Sequence, residues 1–269
     1  MKNTKLILKS LIIKNFYLLL FLLSSLTGFL SCVSIPNVVI DKAFPRVDTR
    51  PPVDAFGLVS VKTTIKPKEC LMSENFELCK EMIGKLPDIE QGGIGSGLLV
   101  MSKSYPVFLT AAHVCSQESP SFYETEGVKI SLEIFTNITI RVSTGEEIIA
   151  EIIKIDTALD LCALKPSKMF TQAVQWSSIE PQVGDLVYAI SAPYGINYPT
   201  MNLIFSGYYS GHSGVFSHYT IPTRPGSSGS VVLDKNFKGV GMLNAAYNTL
   251  ETIGMGTSYK EIKGFLESI

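Results

Sequence analysis

The stretch Thr223-Arg-Pro-Gly-Ser-Ser-Gly-Ser-Val-Val232 lies near the C-terminal end of a chain that otherwise alternates in short apolar runs. At its centre is Gly226-x-Ser228-Gly229, followed at once by an apolar strand. Glycines two before and one after a serine mark a backbone that turns tightly and passes close to a neighbour, because glycine alone takes positive φ without steric cost. Such a turn can present a hydroxyl together with converging N–H groups. It can equally be ordinary Gly/Ser punctuation between strands, so the choice rests on the remainder of the chain.

A serine hydroxyl is a poor nucleophile unless a base takes its proton. The chain has three histidines, His113, His212 and His218. His113 ends the run Val107-Phe-Leu-Thr-Ala-Ala-His-Val-Cys115, an apolar strand that breaks into small residues just before the imidazole. That is a suitable place for a rigidly held, partly exposed base. A carboxylate against the imidazole would fix its tautomer and stabilise the imidazolium formed as the serine attacks. Asp160, at the mouth of the apolar strand in Asp156-Thr-Ala-Leu-Asp-Leu-Cys-Ala-Leu164, suits that role. Each residue alone has a dull explanation, a core histidine or a strand-end turn former. Together, in the order His, Asp, Ser, they point to nucleophilic catalysis. His212 and His218 read as loop or strand residues.

These segments resemble the trypsin-like serine peptidases of the chymotrypsin fold, and among them the bacterial HtrA-type branch. The resemblance runs from Gly92 to Phe265 in several segments in the right sequence. Gly95-Ser-Gly-Leu-Leu-Val100 with Val107–His113 is similar to the family's Gly-x-Gly strand leading to Thr-Ala-Ala-His. Ile140–Ala150 with Asp156–Leu164 resembles the hairpin and strand that carry the family's aspartate. Val183–Gly195 resembles the strand opening the second barrel. The resemblance implies an all-β fold of two six-stranded Greek-key β-barrels, over residues 56–170 and 171–257, with a C-terminal α-helix over 258–269. It also implies a catalytic triad of His113, Asp160 and Ser228, with the N–H groups of Gly226 and Ser228 as the oxyanion hole. Ile221, Pro222 and Thr223, with Met242, Leu243 and Asn244, would line the pocket for the residue before the scissile bond. That pocket contains no acid, so small or medium uncharged side chains are expected there rather than Lys or Arg.

Two positions depart from the family pattern. Ser227 stands where Asp or Asn is usual before the nucleophile, and Ser230 where a second Gly is usual. Ser227 cannot form the salt bridge of zymogen-activated members, so activation through a buried new N-terminus is not expected. Ser230 keeps a small side chain, so the turn can still close. These substitutions are the sequence features that would suit the alternative, an inactive protein of the same fold that binds or scaffolds. About forty residues follow Ser228, which leaves no room for the PDZ domain of many HtrA-type proteins.

A chain of 269 residues, 46% hydrophobic, can build a sizeable core as one large domain or two fused barrels. Formal net charge is −1, and Lys2, Lys5, Lys9 and Lys14 make the part beyond them −5. That argues against nucleic acid as partner, since phosphate binding needs clustered Lys and Arg; the expected partner is a protein or peptide substrate. The lysines precede Phe16–Leu30, an uncharged Leu/Phe run, and small residues follow. A basic region, an apolar segment and small residues read as a secretory signal over 1–32. The charge bias directs everything beyond it to the far side of the membrane. Phe29-Leu-Ser-Cys32 resembles a lipobox, with Cys32 as the lipidated residue and the membrane as anchor. An uncleaved signal anchor and ordinary secretion are the alternatives. Residues 33–55, with Pro36, Pro45, Pro51 and Pro52, read as an extended tether.

With Cys32 set aside, Cys70, Cys79, Cys115 and Cys162 remain, an even number for an oxidising compartment. Cys70 and Cys79 close a short loop and are the expected pair. Cys115 and Cys162, each two residues beyond a triad candidate, read as buried apolar thiols. No cysteine has metal-ligand spacing with a histidine, so no zinc site is expected, and hydrolysis through a Ser–His–Asp triad implies no metal or organic cofactor. From Phe56 short apolar runs separated by Gly, Pro and Asn predict strands, Val128–Phe135 and Ile138–Val142 being read as two. Lys80–Leu86 suggests a helical turn. Ser258-x-x-Glu261 reads as a capping box opening a helix whose apolar face is Ile262, Phe265, Leu266 and Ile269. Oligomeric contacts are not identifiable from the sequence.

Overall fold

The computed structural model describes residues 50–72, 76–116, 121–125, 127–247 and 250–269. The expected signal at 1–32, Cys32 and most of the tether lie outside the described residues. The last tether residues do not stay extended. Val53–Ala55 form one 3₁₀ turn, and Ala55 is buried in the barrel core. Among the described residues no helix is long and apolar enough to cross a membrane.

The chain forms β1 (Phe56–Met72), α1 (Phe76–Lys85), β2 (Ile89–Met101), β3 (Pro106–Thr110), the one-turn α2 (Ala112–Cys115) and β4 (Phe122–Thr125). It continues with β5 (Val128–Val142), β6 (Glu147–Asp156), β7 (Leu161–Pro166), β8 (Leu186–Ser191), β9 (Leu203–Ser213) and β10 (Phe216–Tyr219). Last come β11 (Ser230–Leu233), β12 (Gly239–Leu243), β13 (Ala245–Tyr247), β14 (Leu250–Thr257) and α3 (Tyr259–Glu267). β1, β2, β3, β7, β6 and β5 pair antiparallel in that order, and β1 also pairs with β5. Six strands thus close a barrel, with β4 added outside β5.

The second half departs from the six-stranded expectation. It is a curled sheet of seven strands in the order β12-β11-β8-β9-β10-β14-β13. Its two ends are successive in the chain, because β12 passes through Asn244 directly into β13. The Asn244 N–H donates to Met255 O of β14 at 2.9 Å. One bent strand therefore joins both edges of the sheet and limits the exposed backbone that an open edge would present.

Alternation sets which faces meet. Val59, Leu99, Phe108, Leu109, Ile140 and Leu161 are fully buried in the first barrel, and Tyr188, Val231 and Leu233 of the second sheet join the same core cluster. The Gly-x-Gly of β2 is explained by close approach. A Cβ on Gly97 would lie 2.2 Å from the Phe108 ring, and one on Gly95 would lie 2.5 Å from Val114 and 2.9 Å from Ser228 O. Ile262, Phe265 and Leu266 of α3 pack into this core as the helical spacing predicts. The cap differs in detail: the Ser258 hydroxyl donates to the Glu261 carboxylate, and no side chain bonds a backbone N–H at this end.

β5 runs unbroken through Asn137, which pairs with Lys62, because pairing with β1 along its length outweighs the local preference of Asn for turns. Cys70 and Cys79 are joined, as expected. Cys115 and Cys162 are also joined, which corrects their reading as free thiols. The cause is topological: β3 pairs with β7 so that Thr110 faces Cys162, and α2 then carries Cys115 back over that strand. The Cys115–Cys162 link spans 47 residues against 9 for Cys70–Cys79. Replacing Cys115 and Cys162 together by Ala is expected to cost about 2–4 kcal/mol in denaturant unfolding, more than replacing the shorter pair, as loop-closure entropy dictates.

Candidate functional site

His113 stands on α2, immediately after β3 delivers the chain from the barrel interior. Ala111 and Ala112 are buried, so the turn is seated on the core while the imidazole is half exposed, 51% of its side chain. Asp160 ends the four-residue turn before β7 and has φ +54°, a left-handed conformation that Asp adopts more readily than most residues. Its carboxylate accepts three contacts from His113. Nδ1 lies 2.8 Å from Oδ2 and 3.0 Å from Oδ1, and the His113 backbone N–H donates to Oδ1 at 2.9 Å. With Nδ1 on the carboxylate as donor, Nε2 becomes the free, basic nitrogen.

The turn of Asp160 is held from the second sheet. Asn244 Nδ2 donates to Asp160 O at 3.0 Å and to Thr257 Oγ1 at 3.1 Å. Thr257 Oγ1 in turn donates to Leu159 O at 2.5 Å. These contacts cross from β12–β14 to the first barrel. On its own side, the Leu159 N–H donates to Asp156 Oδ1.

Two successive turns, 224–227 and 227–230, frame Ser228, which lies in the second. Ser227 N–H donates to Arg224 O at 2.8 Å, with Pro225 second and Gly226 third at φ +92°. Ser230 N–H then donates to Ser227 O at 3.1 Å, with Gly229 third at φ +89°. A positive φ at the third position is the demand of a type II turn, and glycine meets it. At Gly229 there is also no room for a side chain, since a Cβ would lie 2.2 Å from Ser96 O. Ser96, fully buried, stitches this loop to the barrels. Its hydroxyl donates to Gly226 O at 2.8 Å and accepts from Ala192 N–H at 2.9 Å, while its own N–H donates to Ser228 O. Among the described residues the N–H groups of Gly226 and Ser228 donate to nothing.

The structure brings His113 and Asp160 together, and Gly95 of β2 abuts both Val114 and Ser228 O. It does not join Ser228 to His113 by a hydrogen bond: Ser228 Oγ donates to Asn244 O at 3.2 Å. Of the residues expected to line a pocket, Ile221, Thr223, Met242, Leu243 and Asn244 are buried and Pro222 is exposed. Met242 and Leu243 are core side chains, and the Leu243 carbonyl accepts the Gly229 N–H at 2.7 Å. Ser227 and Ser230 are both buried. His212, 3.3 Å from Tyr209 Oη, and His218 belong to the paired strands β9 and β10. Among the described residues no cluster of three His, Cys, Asp or Glu side chains is arranged to hold a metal ion. Ser96, Thr257 and the bridging role of Asn244 went unseen in the sequence, since isolated polar residues in strands carry no local signal.

A closed barrel and a curled sheet, with a His–Asp pair and a glycine-framed serine at their junction, define the two-barrel class of serine peptidases. The sequence profile of the trypsin-like peptidase domain matches residues 95–242, more than half of the chain, and the chain belongs to that family, a class of serine endopeptidases. Among solved structures the fold is similar to the serine endoprotease from Yersinia pestis, with a TM-score of 0.52 and 17% identity. The match covers 79% of this chain and 61% of that one, so the chain spans under two thirds of the other protein's length. No curated protein sequence matches the chain.

Thr257→Val removes the hydroxyl that bridges Asn244 and the Leu159 carbonyl. The expected loss is about 1–3 kcal/mol in urea unfolding, with Thr257→Ser retaining most of the stability.

Proposed function

We propose that this protein is a serine endopeptidase that hydrolyses peptide bonds through Ser228, His113 and Asp160. The observation that carries the reading is the Asp160 carboxylate 2.8 Å from Nδ1 of an imidazole half open to solvent. The Ser228 hydroxyl leaves Asn244 O by rotation about χ1 and donates to His113 Nε2. As Oγ forms its bond to the substrate carbonyl carbon, Nε2 takes the hydroxyl proton and Asp160 stabilises the imidazolium. The carbonyl oxygen, now negative, takes the N–H groups of Gly226 and Ser228. Each such donor is worth roughly 3–4 kcal/mol in the transition state. The C–N bond then breaks, His113 protonates the leaving amine, and water hydrolyses the acyl-enzyme by the reverse proton path.

The bond from Ser228 Oγ to Asn244 O favours a second reading, a trypsin-fold protein without turnover that binds or scaffolds another protein. A fluorophosphonate probe separates the two. The domain is expected to be labelled at Ser228, and labelling is expected to vanish in Ser228→Ala and fall by orders of magnitude in His113→Ala. A folded wild-type protein that stays unlabelled supports the second reading.

We further propose that the chain is exported and held at the membrane through lipidated Cys32, facing the periplasm or the cell surface. Support comes from Lys2, Lys5, Lys9 and Lys14 before the apolar run, from Phe29-Leu-Ser-Cys32, and from two disulfides, which suit an oxidising compartment. Metabolic labelling with a fatty acid is expected to mark the full chain and to be lost in Cys32→Ala. A wild-type chain that takes up no lipid contradicts the anchor.

A further inference from the structure

Four successive carbonyls run through the nucleophile turn, and each is held. Pro225 O accepts the Tyr194 N–H at 2.6 Å, Ser227 O accepts the Ser230 N–H at 3.1 Å, and Ser228 O accepts the Ser96 N–H at 2.8 Å. Gly226 O accepts the Ser96 hydroxyl at 2.8 Å. Three of these donors are backbone N–H groups, which only proline would remove. The fourth is a side chain of β2, 130 residues away in the chain. A trans peptide points its C=O and N–H in opposite directions. Holding Pro225 O therefore aims the Gly226 N–H, and holding Ser227 O aims the Ser228 N–H, the two donors assigned above to the substrate oxygen. Between them lies the Gly226–Ser227 plane, whose carbonyl rests on Ser96 and whose N–H donates to Arg224 O at 2.8 Å.

That middle plane is the one that needs holding. Gly226 has φ +92° and no side chain, so its own atoms oppose rotation less than those of any other residue. Once the Gly226 carbonyl is released, the turn 224–227 can pass from type II to type I. That change turns the Pro225–Gly226 plane over and carries the Gly226 N–H away. Ser96 is built to prevent it. It is fully buried, its backbone is paired opposite Leu58, and Thr110 Oγ1 donates to Ser96 O at 2.7 Å. The direction of its proton is also set. The Ala192 N–H can only donate, so Ser96 Oγ accepts there at 2.9 Å and its single proton goes to Gly226 O. Ala192 opens the turn that supplies the Tyr194 N–H to Pro225 O, with the Gly195 N–H donating back to Ala192 O at 2.9 Å. One hydroxyl thus bonds both the nucleophile turn and the turn that braces it.

Resting on the peptidase reading above, we infer that Ser96 is a positioning residue for catalysis: its hydroxyl holds the Gly226 N–H where the carbonyl oxygen of the substrate becomes negative. Being fully buried, it acts through the turn and reaches neither substrate nor reacting atoms. Alanine in its place would strip Gly226 O and Ala192 N–H, both buried, of this partner.

The test is the second-order rate of labelling by a small fluorophosphonate, whose P=O oxygen calls on the same two N–H groups without the need for a substrate sequence. Each variant is first checked by near-UV circular dichroism and urea unfolding. Ser96→Ala is expected to be labelled about a hundredfold more slowly than the wild type, near the low end of what loss of an oxyanion donor costs. The acid limb of its pH–rate profile is expected to stay in place, because His113 and Asp160 are untouched. Ser96→Cys, a weaker donor of similar size, is expected to fall between the two. Tyr259→Phe loses a comparable buried bond on α3, from Oη to Ser177 O at 2.7 Å, and is expected to be labelled at the wild-type rate. A folded Ser96→Ala labelled at the wild-type rate overturns the inference. So does an equal fall in Tyr259→Phe, which assigns the loss to general destabilisation, or a displaced acid limb, which assigns it to the base. If Ser96→Ala does not fold, Ser96→Cys decides: slower labelling with the acid limb in place supports the inference, and the wild-type rate overturns it. A wild type that takes no fluorophosphonate overturns the peptidase reading, and this inference with it.

Discussion

One residue, Asp160, is bonded through its carboxylate to His113 in the first barrel and through its backbone carbonyl to Asn244 of the second sheet. Asp160 accepts both Nδ1 and the backbone N–H of His113, so it fixes the imidazole and the turn that bears it at once. Asp160 has a left-handed φ, which its own strand does not enforce. The backbone there is held by Asn244 and Thr257, which bond the carbonyls of Asp160 and Leu159 from the second sheet. Each such hydrogen bond is worth about 0.5–1.5 kcal/mol net, and left-handed strain costs of order 1–3 kcal/mol. Both bonds are therefore of the size needed to offset the strain. The orientation of the His113 imidazole thus depends on the second sheet being seated against the Asp160 turn.

The serine side is built by the same logic in reverse. Its turn belongs to the second sheet, yet it is anchored by Ser96 and Gly95 of the first barrel, across 130 residues of sequence between Ser96 and Gly226. Each half carries groups that the other positions. The disulfide between Cys115 and Cys162 adds a covalent tie between the His113 turn and the Asp160 strand, two residues beyond each. With both groups so constrained, the movable part is the Ser228 hydroxyl, which in this structure rests on Asn244 O.

What could be read from the sequence was chemistry with a local cause. Gly226 and Gly229 were legible because a turn with positive φ demands glycine, and both adopt it. His113 and Asp160 were legible because small residues before an imidazole and an acid at a strand mouth are local patterns, and the structure bonds them. The apolar spacing of Ile262, Phe265 and Leu266 gave the last helix for the same reason. Properties created only by pairing were hidden. Thr257 and Asn244 look like ordinary strand polars until β14 and β12 bring them against the Asp160 turn. Cys115 and Cys162 look like core thiols until β3 aligns with β7. Phe122–Thr125 is mostly exposed and becomes a strand through β5. The break read at Asn137 disappears because β1 pairs straight through it.

The most direct measurement is a crystal structure of the protein after reaction with a fluorophosphonate. It would show where the serine, the base and the two backbone N–H groups stand when a tetrahedral centre occupies the site. The account predicts phosphorus bonded to Ser228 Oγ, its oxygen accepting from the N–H groups of Gly226 and Ser228, and His113 still held by Asp160 with Nε2 facing the adduct. An unmodified Ser228 that still donates to Asn244 O, or an adduct whose oxygen points away from Gly226, would contradict it.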